Sequence, residues 1–351
     1  MATQSVDIDF VILWVDGSDP AFVAEHAKAL AAESADHRLA DSPRRHRDNG
    51  ELLFLLRSIK AHMSWFRRIY LVTNGQRPAY VDFGSDIHLV RHDQIFPKGI
   101  PTPSFNTFAI ESCIHEIEGL SETFVRFSDD FFVGKEISKK DFLGVDGLGR
   151  NLVGEVVFNR SPGFYYYEAL QNCAIRFWQE FGYLPLYNSL HAPQLRQRST
   201  MRQLVATWPD WFEQTRRSRF RSGSDVNSLF LYPYFSLFHK RRQDLVSLAQ
   251  ERDAPGVARI SPSQPGRASV YPSQIMVGSE TRDWRAGLKR IVANPPLFFN
   301  VNDDMAHGPN PADIKYVGEH LQRLFAKPSP WETNPAAFPG YARAGALATG
   351  P

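Results

Sequence analysis

Apolar and polar positions divide the first third of the chain into alternating short runs. Ile8 to Val15 (IDFVILWV) is nearly unbroken and β-type, and Asp16-Gly17-Ser18-Asp19-Pro20 stops it. A strand this apolar is expected to be covered on both faces, as in a mostly parallel sheet. A helical stretch follows from about Phe22 to Ala32, then a polar, arginine-rich loop around Ser42 to Asn49. Glu51 to Met63 reads as an amphipathic helix, and Arg68 to Thr73 as a second buried strand ending at Asn74-Gly75. Ile87 to Arg91 reads as a third strand, Phe105 to Ile117 as a helix, and Thr123 to Phe127 as a fourth strand ending at Ser128-Asp129-Asp130. Strands alternating with helices predict an α/β, doubly wound sheet.

Beyond that point the pattern changes. Phe158 to about Lys240 is aromatic and helix-rich, with few turn signals, whereas Ala254 to Pro272 is rich in Pro, Ser and Arg and reads as a loop. Leu297 to Val301 is a last strand-like run ending at Asn302-Asp303-Asp304, and a helix from Pro311 to Phe325 follows. From Lys327 the Pro, Ala and Gly content predicts a poorly ordered tail. The implied organisation is a core over residues 1–157, a helix-rich insertion over 158–253, a return to the core over 254–326, and a flexible tail over 327–351. No internal repeat is present.

Composition narrows the class without naming it. Of 351 residues, 43% are apolar and 22% charged, which is globular rather than disordered. A net charge of +2 does not point to nucleic acid. Cys113 and Cys173 lie in apolar periodic stretches, so neither a metal-ligand spacing nor a disulfide is expected. Met1 to Val6 lacks the basic start and apolar run of a signal peptide, and no stretch approaches the ~20 apolar residues of a membrane span. The expected compartment is the cytoplasm, compatible with peripheral association at the inner face of the membrane.

In doubly wound sheets, ligands bind beyond the carboxyl ends of the strands. Asp16-Gly17, Asn74-Gly75 and Asp129-Asp130 all stand at such ends. Adjacent carboxylates there suit a hard cation, although an Asp pair is also ordinary turn chemistry. Asn302-Asp303-Asp304 repeats the arrangement. Glu111 sits in an apolar helical stretch, where a solvent-facing glutamate is the competing reading. His191 offers a base near neutral pH, but a lone histidine is more often structural or exposed. Seven arginines between Arg196 and Arg221 could grip phosphates or form a solvated helix face. There is no GxxxxGK[ST] loop, no GxGxxG after a strand, no CxxC and no HExxH. The residues alone lead to an α/β enzyme that handles phosphate, and no further.

Four blocks carry a resemblance: Ile8–Pro20; Arg47–Pro78 with Phe108–Lys135; Leu190–Ser228; and Phe298–Asp304. In that order they resemble the conserved regions of the Stealth family, which includes bacterial capsule and exopolysaccharide phosphotransferases and the animal N-acetylglucosamine-1-phosphotransferase. The resemblance implies a Rossmann-like core with a nucleotide-sugar-binding crevice and dependence on Mg2+ or Mn2+. It also implies transfer of hexose-1-phosphate from a UDP-sugar to an oligosaccharide or polysaccharide acceptor, with release of UMP. Matched motif by motif, it places Asp9, Trp14, Val15, Asp16, Gly17, Asp48, Asn49, Arg57, Asn74 and Gly75 in the donor pocket. Asp129, Asp130, Asn302 and Asp303 become metal-site residues, and Glu111, Asp130, His191 and Arg221 the catalytic set. Ser128 stands where many relatives have Asn, and Gln194 where some have a second His. The long insertions of the animal enzyme are missing.

In the mechanism this implies, an acceptor hydroxyl attacks the phosphorus next to the sugar. His191 takes its proton, a task that one of the carboxylates could also perform, and Arg221 pairs with phosphoryl oxygens. Two rivals share these features. One is a glycosyltransferase that releases a nucleoside diphosphate; the other is a non-catalytic carbohydrate-binding protein.

Overall fold

The computed structural model describes residues 6–33, 42–139, 151–159, 165–189, 191–240, 257–259, 273–280, 282–305, 307–334 and 338–341. Eleven strands follow the chain: β1 Ile8–Leu13, β2 Ile69–Thr73, β3 Ile87–Arg91, β4 Thr123–Ser128, β5 Phe131–Val133, β6 Asn151–Val156, β7 Tyr187–Ser189, β8 Gln194–Gln197, β9 Val257–Arg259, β10 Ser273–Val277 and β11 Phe298–Asp303. The central sheet has the order β3-β2-β1-β4-β8, parallel except for the antiparallel edge strand β8. Because the order reverses between β1 and β4, the crevice of a doubly wound sheet is expected at their carboxyl ends.

The two faces of this sheet are covered by different cores, as the apolar run of β1 predicts. Ile8, Phe10 and Ile12 join Ile69, Leu71, Val125 and Phe127 on one face. Val11, Tyr70, Val72 and Phe124 occupy the other, against Ala109, Cys113 and Ile114. The helix Glu51–His62 lies on the first face. The sequence reads it as amphipathic, but every residue from Glu51 to Ile59 is buried. A second sheet, β10-β11-β5, and the C-terminal segment cover what would have been its polar side.

Other expectations change in the structure. The helix expected over Phe105–Ile117 is a short α-helix, Thr107–Glu111, followed by a 3-10 turn at Ile114–Glu116. The helix-rich region also contains β7 and β8. It has its own core around Phe177, Met201, Phe212 and Phe230, but β8 is part of the central sheet, so the insertion is stitched into the fold. The expected loop at 254–272 lies outside the described residues apart from β9. Both cysteines are buried and free. Among the described residues, no helix is long and apolar enough to cross a membrane.

The tail is the largest correction. Its described part packs: Trp331, Phe338 and Tyr341 are buried in the first core. Arg57, expected in the donor pocket, instead donates from Nε and Nη2 to Glu332 at 2.8 Å each and from Nη1 to the Phe325 carbonyl. Pro, Ala and Gly content misleads here because a few aromatic anchors outweigh it. Residues 335–337 and 342–351 lie outside the described residues.

With both partners under a tenth exposed, removing one strands a buried charge, which costs about 3–5 kcal/mol. Arg57→Ala should therefore lower the unfolding free energy in urea by that order. A loss below about 1 kcal/mol would show that the 327–334 segment is not anchored this way.

Candidate functional site

A cavity of about 380 Å³ opens at the carboxyl ends of β1, β2 and β4. Trp14 and Val15 reach it from β1, Asn74 from β2, and Asp129 and Asp130 from the turn between β4 and β5. Asn302 and Asp303 come from the end of β11, inside the strand and not past it. His191 and Arg221 enter from the helix-rich part. Nine residues expected from the four sequence blocks thus face one space.

The other expected residues do not line it. Asp9 lies at the opposite end of β1, fully buried, where Arg67 donates to both its oxygens at 2.9 and 2.6 Å. Its place is in the scaffold, not the donor pocket, because a parallel strand's first residues point away from the ligand edge. Asp16 caps its own turn by accepting from Ser18 N and Oγ. Gly75, at φ +116°, makes the turn after β2. Gly17 matters for closeness: its N–H donates to the His46 carbonyl at 2.5 Å, and a Cβ there would overlap that carbonyl. This contact pins the arginine-rich loop over the cavity.

That loop contributes more than the sequence led us to expect. Arg44, Arg45 and Arg47 all line the cavity. Arg47 donates to Asp303 Oδ2 at 2.5 Å, Arg44 pairs with Asp304, and Asn49 Nδ2 donates to Asp303 Oδ2 at 3.2 Å. The signal was available as an Arg-rich turn between two elements, but it had no partner to point to. Of the seven arginines between Arg196 and Arg221, only Arg221 faces the cavity. Arg198 and Arg216 hold main-chain carbonyls, Arg219 holds Glu25 and Pro103, Arg202 and Arg217 are exposed, and Arg196 is fully buried.

Glu111 is neither solvent-facing nor open to the cavity. It is buried between Arg126 of β4, with which it pairs closely, and Arg196 of β8, whose Nη1 is 3.2 Å away. Arg126 does line the cavity. Glu111 is thus closed off from the cavity and meets it only through Arg126, which it holds. Burial brings the Arg196 guanidinium down to about 10.

The acidic groups repel one another. Desolvation, then the charges of Asp130 and Asp48, hold the Asp129 carboxyl well above the usual range. Desolvation and the charge of Asp16 raise Asp48 to about 6, although its Oδ1 accepts from Gly50 N–H and its Oδ2 from Tyr80. Glu51, buried beside them, is raised for the same reasons. Such a cluster favours either protons or a cation. Among the described residues, however, no three carboxylate, imidazole or thiolate groups converge as a ready-made metal cage. Asp303 is taken by Arg47, Asn49 and the Met305 N–H, and the Asn302 side-chain Oδ1 accepts from Asn300 and Gln274. Of the four expected metal residues, Asp129 and Asp130 are the two whose carboxylates those contacts leave available. His191 Nε2 is 3.5 Å from Asp130 Oδ2, its ring edge-on to Phe131, and the residue is about 45% exposed at the mouth.

Comparison with known proteins identifies the relatives of this chain. Three family models match in chain order: Stealth protein CR1, conserved region 1, at residues 6–34; CR2, conserved region 2, at 45–150; and CR3, conserved region 3, at 190–238. Together they span more than half of the chain. An exopolysaccharide phosphotransferase of Streptomyces coelicolor is 33% identical over 67% of this chain and 40% of its own length. One of Nocardia farcinica is 29% identical over 93% of this chain and 61% of its own. A capsular polysaccharide phosphotransferase of Streptococcus thermophilus is 40% identical over 38% of this chain and 57% of its own. The chain spans about half the length of the curated relatives it matches.

His92, after β3, supplies a pH test of the site. It is buried, its Nδ1 accepts from Ser104 N–H at 3.3 Å, and desolvation lowers it to about 4. The unfolded chain takes up this proton near 6.5, before the folded chain does, so stability falls as pH drops from 6.5 through 4. The full effect is worth ~3 kcal/mol. His92→Gln should show that much less acid destabilisation than the wild type in urea titrations at pH 7 and pH 4. Parallel pH profiles would refute the assignment.

Proposed function

As the chain belongs to the Stealth family, we propose that it transfers a sugar-1-phosphate from a nucleotide sugar, a UDP-sugar, to a carbohydrate hydroxyl with release of UMP. The observation that carries this reading is the pairing, in one cavity, of an arginine set with a carboxylate pair at the β1/β4 crevice. Arg44, Arg45, Arg47, Arg126 and Arg221 suit two phosphates, because forked guanidinium donors match phosphoryl oxygens.

Asp129 and Asp130 fit a divalent cation. They are hard oxygen donors, and Asp129 is raised by its acidic neighbours. Mg2+ commonly takes one or two carboxylates and completes its shell with water and substrate phosphate, so two protein ligands suffice. When bound, the ion would neutralise diphosphate charge and ease departure of the nucleoside monophosphate.

The chain's own residues divide the remaining work. Arg221, braced by Thr107 Oγ1 at 2.5 Å and by Tyr165 at 3.4 Å, is held in one orientation towards the cavity. In the proposed reaction it stabilises equatorial phosphoryl oxygens as charge develops. Arg126 does the same from the floor, fixed by Glu111. His191 takes the proton of the attacking hydroxyl on Nε2, and Asp130 steadies the imidazolium that forms. The acceptor reaches His191 from solvent, because the imidazole stands at the exposed mouth.

Incubation with a UDP-sugar, a carbohydrate acceptor and Mg2+ should release UMP; release of UDP instead would mean attack at the anomeric carbon and an ordinary glycosyltransferase. Mg2+ or Mn2+ should raise the melting temperature of the wild type but not of Asp129→Asn/Asp130→Asn, and full turnover in excess chelator would exclude the metal role. His191→Ala should lose about 10²–10⁴ in turnover with donor affinity nearly unchanged. Arg221→Lys should resemble Arg221→Ala, since the forked geometry is what the phosphate uses. If both arginine variants turn over within twofold of wild type, Arg221 is no phosphate ligand.

A further inference from the structure

The cavity is chemically divided. Around β4 and the 42–49 loop it is charged, with the arginines and carboxylates already described. Past β1, β2 and β3 its walls are apolar: Leu13, Val15, Val72, Phe105 and Ile110. Asn74, Ser104 and His92 are the polar groups beside these side chains, and Thr107, between Phe105 and Ile110, holds Arg221 at the border with the charged half. A ligand filling both halves carries anionic groups at one end and a flat, largely apolar body with a few polar edge atoms at the other. That is the chemistry of a nucleotide.

His92 is placed to read the edge of such a body. It is only 5% exposed, yet it lines the cavity. Its Nδ1 accepts the Ser104 N–H, so the neutral ring carries its proton on Nε2. Burial keeps the ring neutral at physiological pH. Among the described residues, the hydrogen bond of His92 is made by Nδ1 and none takes the Nε2 proton. A donor with a fixed tautomer, in an apolar wall, is suited to one acceptor on a bound ligand. A ring-carbonyl oxygen supplies it.

Within the nucleotide-sugar reading, we propose that the apolar half is the nucleobase subsite and that His92 Nε2–H donates to the exocyclic oxygen at C4 of a pyrimidine or C6 of a purine. That position is a carbonyl in uracil and guanine and an amino group in cytosine and adenine. His92 is then a specificity residue that favours bases with a carbonyl there, because an amino group sets donor against donor and leaves the buried N–H unpaired. The competing role for His92 is to brace the segment up to Ser104, which would affect every nucleotide equally.

Calorimetric titration of the full chain with UMP, CMP and GMP tests this, with wild type and His92→Phe. Wild type should bind UMP or GMP at least ~10-fold more tightly than CMP, and the UMP and GMP arms separate pyrimidine from purine. In His92→Phe the preference over CMP should shrink to within about threefold. No preference in the wild type, or the same preference in a folded His92→Phe, overturns the proposal while leaving the reaction class intact. Failure of the wild type to bind UMP, GMP, CMP or UDP at all sinks the nucleotide-sugar reading itself. Should His92→Phe not fold, long-range 1H–15N spectra of the wild type decide. The Nε2–H tautomer should be present, and its resonance should move on addition of the preferred nucleotide. The other tautomer, or an unmoved resonance, overturns the proposal.

Discussion

Two buried arginines share one buried carboxylate, and much of the architecture follows from that. Arg126 belongs to β4, Arg196 to the edge strand β8, and Glu111 to the short helix beneath the cavity. The antiparallel register sets Phe124 opposite Arg196 and Arg126 opposite Gln194. Gln194 in turn accepts from Arg196 Nε at 2.7 Å. Two guanidiniums for one carboxylate leave excess positive charge in a low-dielectric interior, a costly arrangement unless further groups answer it. Arg126 reaches the cavity, where Asp129 and, on our reading, a bound phosphate supply that answer. The helix-rich part is joined to the central sheet through this same contact, so scaffold and site share one constraint.

The opposite imbalance stands beside it, at the same cavity. Asp48, Glu51, Asp129 and Asp130 crowd the end of β4 and the start of the helix Glu51–His62, and three of them are raised by burial and by one another. The loop over residues 42–49 brings guanidiniums to this crowd. It is held at three points: Gly17 under His46, Arg47 and Asn49 on Asp303, and Gly340 with Tyr341 against the Asn49 carbonyl. Each anchor comes from a different part of the chain. The site is therefore a meeting of charges that no single segment could stabilise alone, and a ligand with both a cation and phosphates would relieve both imbalances.

The division of the cavity has the same origin as the fold. Parallel strands covered on both faces end in apolar side chains, and the loops beyond them carry the polar groups. Near β1 and β2 the strand ends themselves form the wall, hence an apolar half with few donors. Near β4 the wall is made by turns and by the imported loop, hence the charged half.

Features that depend on local pattern are legible in the amino-acid order. The unbroken apolar run of β1 announces a strand buried on both faces, and the strand-end residues Asn74, Asp129 and Asp130 mark the ligand edge, because period and turn chemistry act over a few residues. The motif blocks also pointed to His191 and Arg221, which the fold brings to the same cavity. Tertiary structure alone decided which charges are partners. Glu111, for which a solvent-facing place is the competing reading, and Arg196, one of a cluster that could form a solvated face, are buried together; Asp9 and Arg57, ligand groups by resemblance, are taken by Arg67 and Glu332. Arg44, Arg45 and Arg47 belong to a loop that reads only as polar and arginine-rich, yet they line the cavity. The physical reason is that charge has no periodicity to read. A guanidinium's role is set by which carboxylate or empty space folding places within about 3 Å, and those partners lie up to hundreds of residues away.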